Sequence, residues 1–193
     1  MRALLLVLAA IGGLAAAAPT IAKTFNVNSN LTIDDTGFSG DPKILPDAVT
    51  SIESLNGGRV AAIAFNNVAG TPGYAAVVLK GSEVRFWRLD KPAGKAVELT
   101  GASVPTWMLN WKGQRRASAV KGARVSLADA IRTAEAEQHG APAVVAGIAR
   151  SAANPTSDVH AYMVGILRNG RLNRVAVDSQ SGSPIANPDA LDW

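Results

Sequence analysis

The chain of 193 residues has no cysteine, two histidines and few aromatic residues. Without cysteine it can form no disulfide bond, and the lipid-modified amino terminus of bacterial lipoproteins, which needs a cysteine, is excluded. Its stability must therefore come from packing alone. The formal net charge of +4 is small for this length, so the composition does not indicate nucleic-acid binding.

The familiar motifs of catalysis are absent as well. His139 and His160 do not lie in a metal-binding His-Glu-x-x-His pattern, and the chain has neither a Gly-x-Ser-x-Gly nucleophile turn nor a phosphate-binding glycine loop. We therefore predict a protein that is not an enzyme and has no cofactor. The alternative is an enzyme whose site is assembled from residues that are distant in sequence.

Carboxylates cluster near both ends of the chain, but their spacing does not reproduce the Asp-x-Asp-x-Asp-Gly loop of calcium sites. The residues concerned are Asp34, Asp35, Asp41, Asp189 and Asp192. We predict no metal site from this pattern. A periplasmic protein that binds a ligand or a metal remains an alternative.

The amino terminus has the composition of an export signal. Met1 and Arg2 precede an apolar run from Ala3 to Ala18 that ends in small residues. A membrane-spanning helix needs about 20 apolar residues and usually a charged stop beyond them, so a permanent anchor is the weaker interpretation. We predict a signal peptide over residues 1–22, cleaved after Ala17 or Ala22, and a mature protein in the periplasm or outside the cell.

The most informative pattern is an internal repeat. The segment from Leu45 to Gly94 reappears from Leu127 to Gly182, with similar residue kinds in the same order. Matching pairs in the first part are Leu45 and Leu127, Asp47 and Asp129, Ala48 and Ala130, Glu53 and Glu135, and Gly58 and Gly140. Matching pairs in the second part are Tyr74 and Tyr162, Leu79 and Leu167, Leu89 and Val177, Asp90 and Asp178, and Gly94 and Gly182.

Each copy predicts one helix followed by three strands. Apolar residues recur at steps of three and four after Leu45 and after Leu127, which is the spacing of one helix face. Gly81-Ser82 and Asn169-Gly170 are typical of tight hairpin turns, which require antiparallel strands. The predicted fold class is α+β, with two tandem modules that each contain a helix and a three-stranded antiparallel sheet.

The repeat also divides the chain into segments. An N-terminal arm or strand is predicted over 23–44, the first module over 45–99, a linker over 100–125 and the second module over 126–193. The linker is long for a structureless connection, so we expect a short helix or strand near Trp107 to Trp111.

The second copy contains Leu127-Ala-Asp-Ala-Ile131, a predicted strand from Tyr162 to Leu167, and Val177-Asp178 followed by Gly182 and Ile185. In these features it resembles a PepSY domain. The first copy is more divergent but keeps Leu89-Asp90 and Gly94. The resemblance implies a secreted or envelope protein that inhibits or regulates a peptidase, and it supplies no catalytic residues.

Two sets of residues are candidates for a specific role. Asp90, Gly94, Asp178 and Gly182 are predicted to be structural, with each aspartate accepting hydrogen bonds from the turn that follows it. Trp107, Trp111, Arg115 and Arg116 are candidates for binding a protein partner, because aromatic side chains beside arginines are frequent at interaction hot spots. An anionic membrane surface is a weaker candidate partner. The competing interpretation, which the cost of exposing tryptophan favours, is that the tryptophans fill the seam between the modules.

Overall fold

The computed structural model describes residues 44–68, 71–90, 95–98, 103–151, 160–186 and 191–192. The predicted signal peptide and the arm up to residue 43 lie outside this part of the chain. The helices are α1 (Ile44–Asn56), α2 (Trp111–Gly122) and α3 (Leu127–Glu137), with a short 3-10 helix at Thr106–Met108. The strands are β1 (Arg59–Val68), β2 (Thr71–Lys80), β3 (Glu83–Asp90), β4 (Lys95–Glu98), β5 (Val104–Pro105), β6 (Ala143–Ser151), β7 (His160–Arg168), β8 (Arg171–Asp178), β9 (Pro184–Ile185) and β10 (Leu191–Asp192).

The strands of the described residues form one antiparallel sheet. Its order is β4-β3-β2-β1-β6-β7-β8-β9, with β5 pairing to β3 and β10 pairing to β6. The α+β class is therefore confirmed. The prediction of two modules with separate three-stranded sheets is wrong, because β1 and β6 pair directly and join both halves of the chain into a single sheet.

The register at the centre of the sheet pairs residues that lie at the same distance from the bulges of β1 and β6. Both β1 and β6 contain a bulge near their first residues, between Val60 and Ala62 and between Ala143 and Val145. Ile63 lies three residues after Val60, and Ala146 lies three residues after Ala143. These two residues face each other across the β1–β6 pair. On both sides of this pair the strands follow in chain order, with β2, β3 and β4 beyond β1 and with β7, β8 and β9 beyond β6.

The helices cover the sheet unequally. Side chains alternate between the two faces of a strand, so Ile63, Ala76 and Ala146 point to one face and Ala62, Val77 and Gly147 to the other. The first face is buried in one apolar cluster with α1 and α3, which pack against each other. Helix α2 crosses the opposite face, where it contacts β1 and β6. None of the described helices has the length and apolar character that crossing a bilayer requires.

The ends of the helices follow the local sequence signals. Ser126 caps α3, since its Oγ accepts a hydrogen bond from the backbone N–H of Asp129 at 3.0 Å. Helix α1 ends before Gly57, whose φ of 66° is in the left-handed region that glycine tolerates. The hairpin turn at Asn169 and Gly170 has positive φ at both residues, as a type I′ turn requires.

A carboxylate of each repeated helix holds the strand that follows. Glu53 Oε1 accepts the backbone N–H of Val60 at 2.8 Å, and Glu135 Oε1 accepts that of Ala143 at 3.0 Å. Burial raises the pKa of Glu53 above its usual range, and the hydrogen bond from Val60 and the charge of Arg59 oppose that rise only in part.

Replacing Glu53 with glutamine should remove a pH dependence of stability. A carboxyl group whose pKa is raised on folding stabilises the protein fully below its unfolded pKa of about 4.3 and loses that contribution as pH rises through the folded pKa. Glutamine keeps an oxygen that can accept the Val60 N–H. Glu53→Gln should therefore match the wild type near pH 4 and exceed it in free energy of unfolding at pH 7, as measured by urea titration.

The matched control is Glu137→Gln, which changes an exposed carboxylate at the end of α3. Its free energy of unfolding should follow that of the wild type at both pH values. If Glu53→Gln and Glu137→Gln show the same difference from the wild type, burial of Glu53 is not the cause.

Candidate functional site

The linker between the repeated segments carries the candidate site. After β5 pairs with β3, the 3-10 helix at Thr106–Met108 leads into α2. Asn110 caps α2 by accepting the backbone N–H of Gly113 at 2.9 Å, and the Gln114 side chain donates to the Leu109 carbonyl at 2.9 Å. These bonds fix the backbone on both sides of Trp111.

Three large apolar side chains of this segment are open to solvent. The exposed fractions are 74% for Trp107, 42% for Met108 and 55% for Trp111. The interpretation that the tryptophans fill a seam between modules is therefore wrong. Tryptophan is usually well buried, and a contiguous exposed apolar patch is typical of an interaction surface.

Basic residues lie next to Trp111 in α2. Arg115 lies one turn after Trp111, and its guanidinium carbon is 6.0 Å from the centroid of the Trp111 ring, within the range of a cation–π contact. Lys112 is exposed beside them, and no carboxylate occurs from Lys112 to Arg124. We call Trp107, Met108, Trp111, Lys112 and Arg115 the tryptophan surface.

Arg116 belongs to a different feature. It is half-buried and lines a groove of about 250 Å³ between α2 and the sheet. The groove also contains side chains of Ala62, Val77, Phe86, Leu109 and Ile148. The four residues proposed as one binding cluster are thus divided, with Trp107, Trp111 and Arg115 on the outside and Arg116 beneath the helix.

Arg59 holds the other end of α2. Its guanidinium donates to the carbonyls of Val120 at 2.8 Å, Ala123 at 2.7 Å and Val125 at 3.3 Å. The Tyr162 hydroxyl also donates to the Val125 carbonyl, at 3.0 Å, and burial raises the pKa of Tyr162 to about 12. Carbonyls at the end of a helix lack intrahelical partners, so these donors stabilise the turn from α2 to α3.

The sequence predicted neither the groove nor the role of Arg59. A signal for α2 was present, because Asn110 is a good helix cap and small or apolar residues recur at Gly113, Ala117 and Val120. Arg59 gave no such signal, since its partners are backbone carbonyls more than 60 residues away.

Asp178 makes the hydrogen bonds expected of a turn residue. Its Oδ1 accepts the backbone N–H groups of Gln180 at 2.9 Å and Ser181 at 2.7 Å, and these bonds hold its pKa below the usual range. Gly182 has a φ of 76° and donates to the Asp178 carbonyl. The side chain of Asp90 and all of Gly94 lie outside the described residues.

Replacing Asp178 with alanine should lower the free energy of unfolding by about 1 kcal/mol at pH 7, because backbone N–H groups lose a charged acceptor. A carboxylate whose pKa is lowered on folding stabilises above its unfolded pKa, and the effect fades as pH falls through the folded pKa. Thermal melts of Asp178→Ala and wild type should therefore converge at low pH. A melting temperature equal to that of the wild type at pH 7 would contradict a structural role.

The histidines do not form a reactive cluster with other side chains of the described residues. His139 is exposed in the turn after α3, with a φ of 58°, and His160 begins β7. Within the described part of the chain, no group of three or more histidine, aspartate or glutamate side chains is placed to hold a metal ion. The carboxylates of Asp34, Asp35, Asp41, Asp189 and Asp192 lie outside the side chains that the structure describes.

No family model matches the chain, and no curated protein matches it. Among solved structures, it is similar to the crystal structure of a candidate lipoprotein from Clostridium difficile 630, with a TM-score of 0.39 and 15% sequence identity. The alignment covers 86% of this chain and 99% of that one.

Proposed function

We propose that this protein is a non-catalytic, exported binding protein that recognises and regulates another envelope protein, such as a peptidase, through the tryptophan surface. The observation that carries the proposal is the exposure of Trp107 and Trp111, at 74% and 55%. Large aromatic side chains contribute strongly to binding when a partner covers them, and the adjacent cations favour a partner with acidic groups. The localisation rests on the signal-like residues 1–22, and the link to peptidases rests on the resemblance to PepSY domains.

The proposed origin of the fold is duplication of one PepSY-like unit. Its support is the register in which Ile63 faces Ala146, together with the equivalent hydrogen bonds of Glu53 and Glu135. In this proposal the linker between the copies evolved a role of its own, because the tryptophan surface lies on the 3-10 helix and α2, outside the repeated segments. Recognition would then depend on the linker, while the two copies provide a rigid support.

Affinity capture from the periplasm of the source cell tests the proposal. The bait is the chain from Lys23 onward, compared with a variant carrying Trp107→Ala and Trp111→Ala. Loss of two hot-spot tryptophans should reduce capture of the true partner at least about tenfold, because each such residue contributes about 2 kcal/mol or more. The captured protein is identified by mass spectrometry, and its peptidase activity is measured with and without the bait.

Two further variants make the comparison specific. Leu55→Ala removes an apolar side chain that is 62% exposed on α1, and it should leave capture unchanged. Arg115→Glu reverses the charge beside Trp111 and should weaken capture more at low salt than at high salt. Capture of the same proteins in the same amounts by all variants would refute the role of this surface.

A further inference from the structure

The groove beneath α2 has a composition that suits a ligand other than a protein. Of its lining side chains among the described residues, only Arg116 carries a charge, and the others are apolar or glycine. Its floor is the sheet face that bears Ala62, Val77 and Phe86, and its wall is formed by Leu109 and α2. Among the described residues, the groove is therefore lined by apolar side chains, glycine and one arginine.

A polypeptide would be a poor occupant of this groove. Every inserted residue would bring a backbone N–H and C=O that need hydrogen-bond partners. Ala62, Val77 and Phe86 lie within paired strands, whose backbone groups already bond neighbouring strands. An aliphatic chain has no polar groups to satisfy and gains about 0.8 kcal/mol for each methylene that leaves water.

The volume of the groove and the charge of Arg116 further restrict the class of ligand. The volume of about 250 Å³ is below the roughly 300–1,000 Å³ of drug-sized ligand sites, so the groove suits one thin aliphatic chain and not two. A guanidinium group pairs well with a carboxylate or phosphate through two parallel hydrogen bonds. We propose that the groove binds a single-chain anionic amphiphile, with its aliphatic chain along the sheet and its anionic group at Arg116.

Isothermal titration with decanoate, below its micelle concentration, tests this site. Decanoate should bind the wild-type chain with a stoichiometry of one. Decyltrimethylammonium, which has the same chain and the opposite charge, should bind at least about tenfold more weakly, because it faces Arg116 with a like charge. Equal affinity for the two amphiphiles, or no heat with decanoate, would overturn the proposal.

Variants separate the two parts of the site. Arg116→Gln should weaken decanoate about tenfold and leave the uncharged 1-decanol unchanged, because only the charged hydrogen bonds are removed. Ala62→Phe fills the groove from its floor and should abolish binding of both compounds. The control Ser118→Phe introduces the same aromatic ring at an exposed position of α2 and should bind both as the wild type does.

Folding of each variant is checked by its far-ultraviolet circular dichroism and melting temperature. If Ala62→Phe is not folded, the contrast between decanoate and 1-decanol in Arg116→Gln decides the proposal alone. Unchanged decanoate binding by Arg116→Gln would overturn it. The Trp107→Ala, Trp111→Ala variant should still bind decanoate, so the groove and the tryptophan surface are tested independently.

Discussion

Arg59→Met should lower the free energy of unfolding by at least about 3 kcal/mol, because each hydrogen bond from a charged group contributes about 1.5–3 kcal/mol and two short ones are lost together. The Arg59 guanidinium donates hydrogen bonds to the carbonyls of Val120, Ala123 and Val125, and methionine has no donor for them. Those carbonyls lie where α2 turns toward α3, so the substitution should loosen α2 on the sheet before the rest of the fold melts.

Urea denaturation of Arg59→Met and wild type provides the measurement, and hydrogen exchange of residues 117–125 reports the local effect. The control Arg168→Met removes an exposed arginine at the end of β7 and should change the free energy of unfolding by less than about 0.5 kcal/mol. If both substitutions have equally small effects, Arg59 does not secure α2.

Ile131→Ala, a substitution in α3 of the second repeated segment, should also destabilise the strands of the first repeated segment. Ile131 is fully buried in α3, and removing its side chain should cost about 3 kcal/mol of unfolding free energy. For a protein of this size that is a fall in melting temperature of about 9 °C. Since β1 and β6 pair within one sheet, Trp87 in β3 should report the full decrease.

A variant with one tryptophan allows the unfolding transition near Trp87 to be measured by fluorescence. Replacing Trp107, Trp111 and Trp193 with phenylalanine leaves Trp87, which is 8% exposed, as the sole tryptophan reporter. In this background Ile131→Ala should lower the transition seen by Trp87, and Leu55→Ala, at an exposed position, should not. Independent modules would instead leave the Trp87 transition in place while a second transition moved.

Local structure could largely be predicted from the sequence, because the residues that determine it are close together along the chain. The Asn169-Gly170 turn requires two positive φ values and has residues that accept them. Ser126 and Asp129 are three residues apart, and they form the cap that this spacing predicts.

The union of the two halves could not be predicted, because the pairing of β1 with β6 depends on backbone groups that every residue carries. Hydrophobic pattern indicates which residues of a strand are buried, but a central strand and an edge strand covered by a helix have similar patterns. The sequence could therefore reveal the repeat and leave its arrangement open.

The candidate site likewise has features that the sequence predicts and features that depend on the tertiary structure. Trp107, Trp111 and Arg115 were identified from residue type and proximity, but their exposure depends on how α2 lies across the sheet. Arg116 follows Arg115 directly, and a helical step of about 100° per residue is enough to direct it to the groove. Arg59 and the groove depend on contacts between distant segments, for which one sequence holds no signal.

The β1–β6 contact has a consequence for any shorter chain. A polypeptide with only one copy would leave the inner edge of its first strand open to self-association, and two such polypeptides could meet in the same register as a homodimer. That dimer would dissociate on dilution. Covalent tethering makes the encounter intramolecular, so the sheet stays complete at any protein concentration.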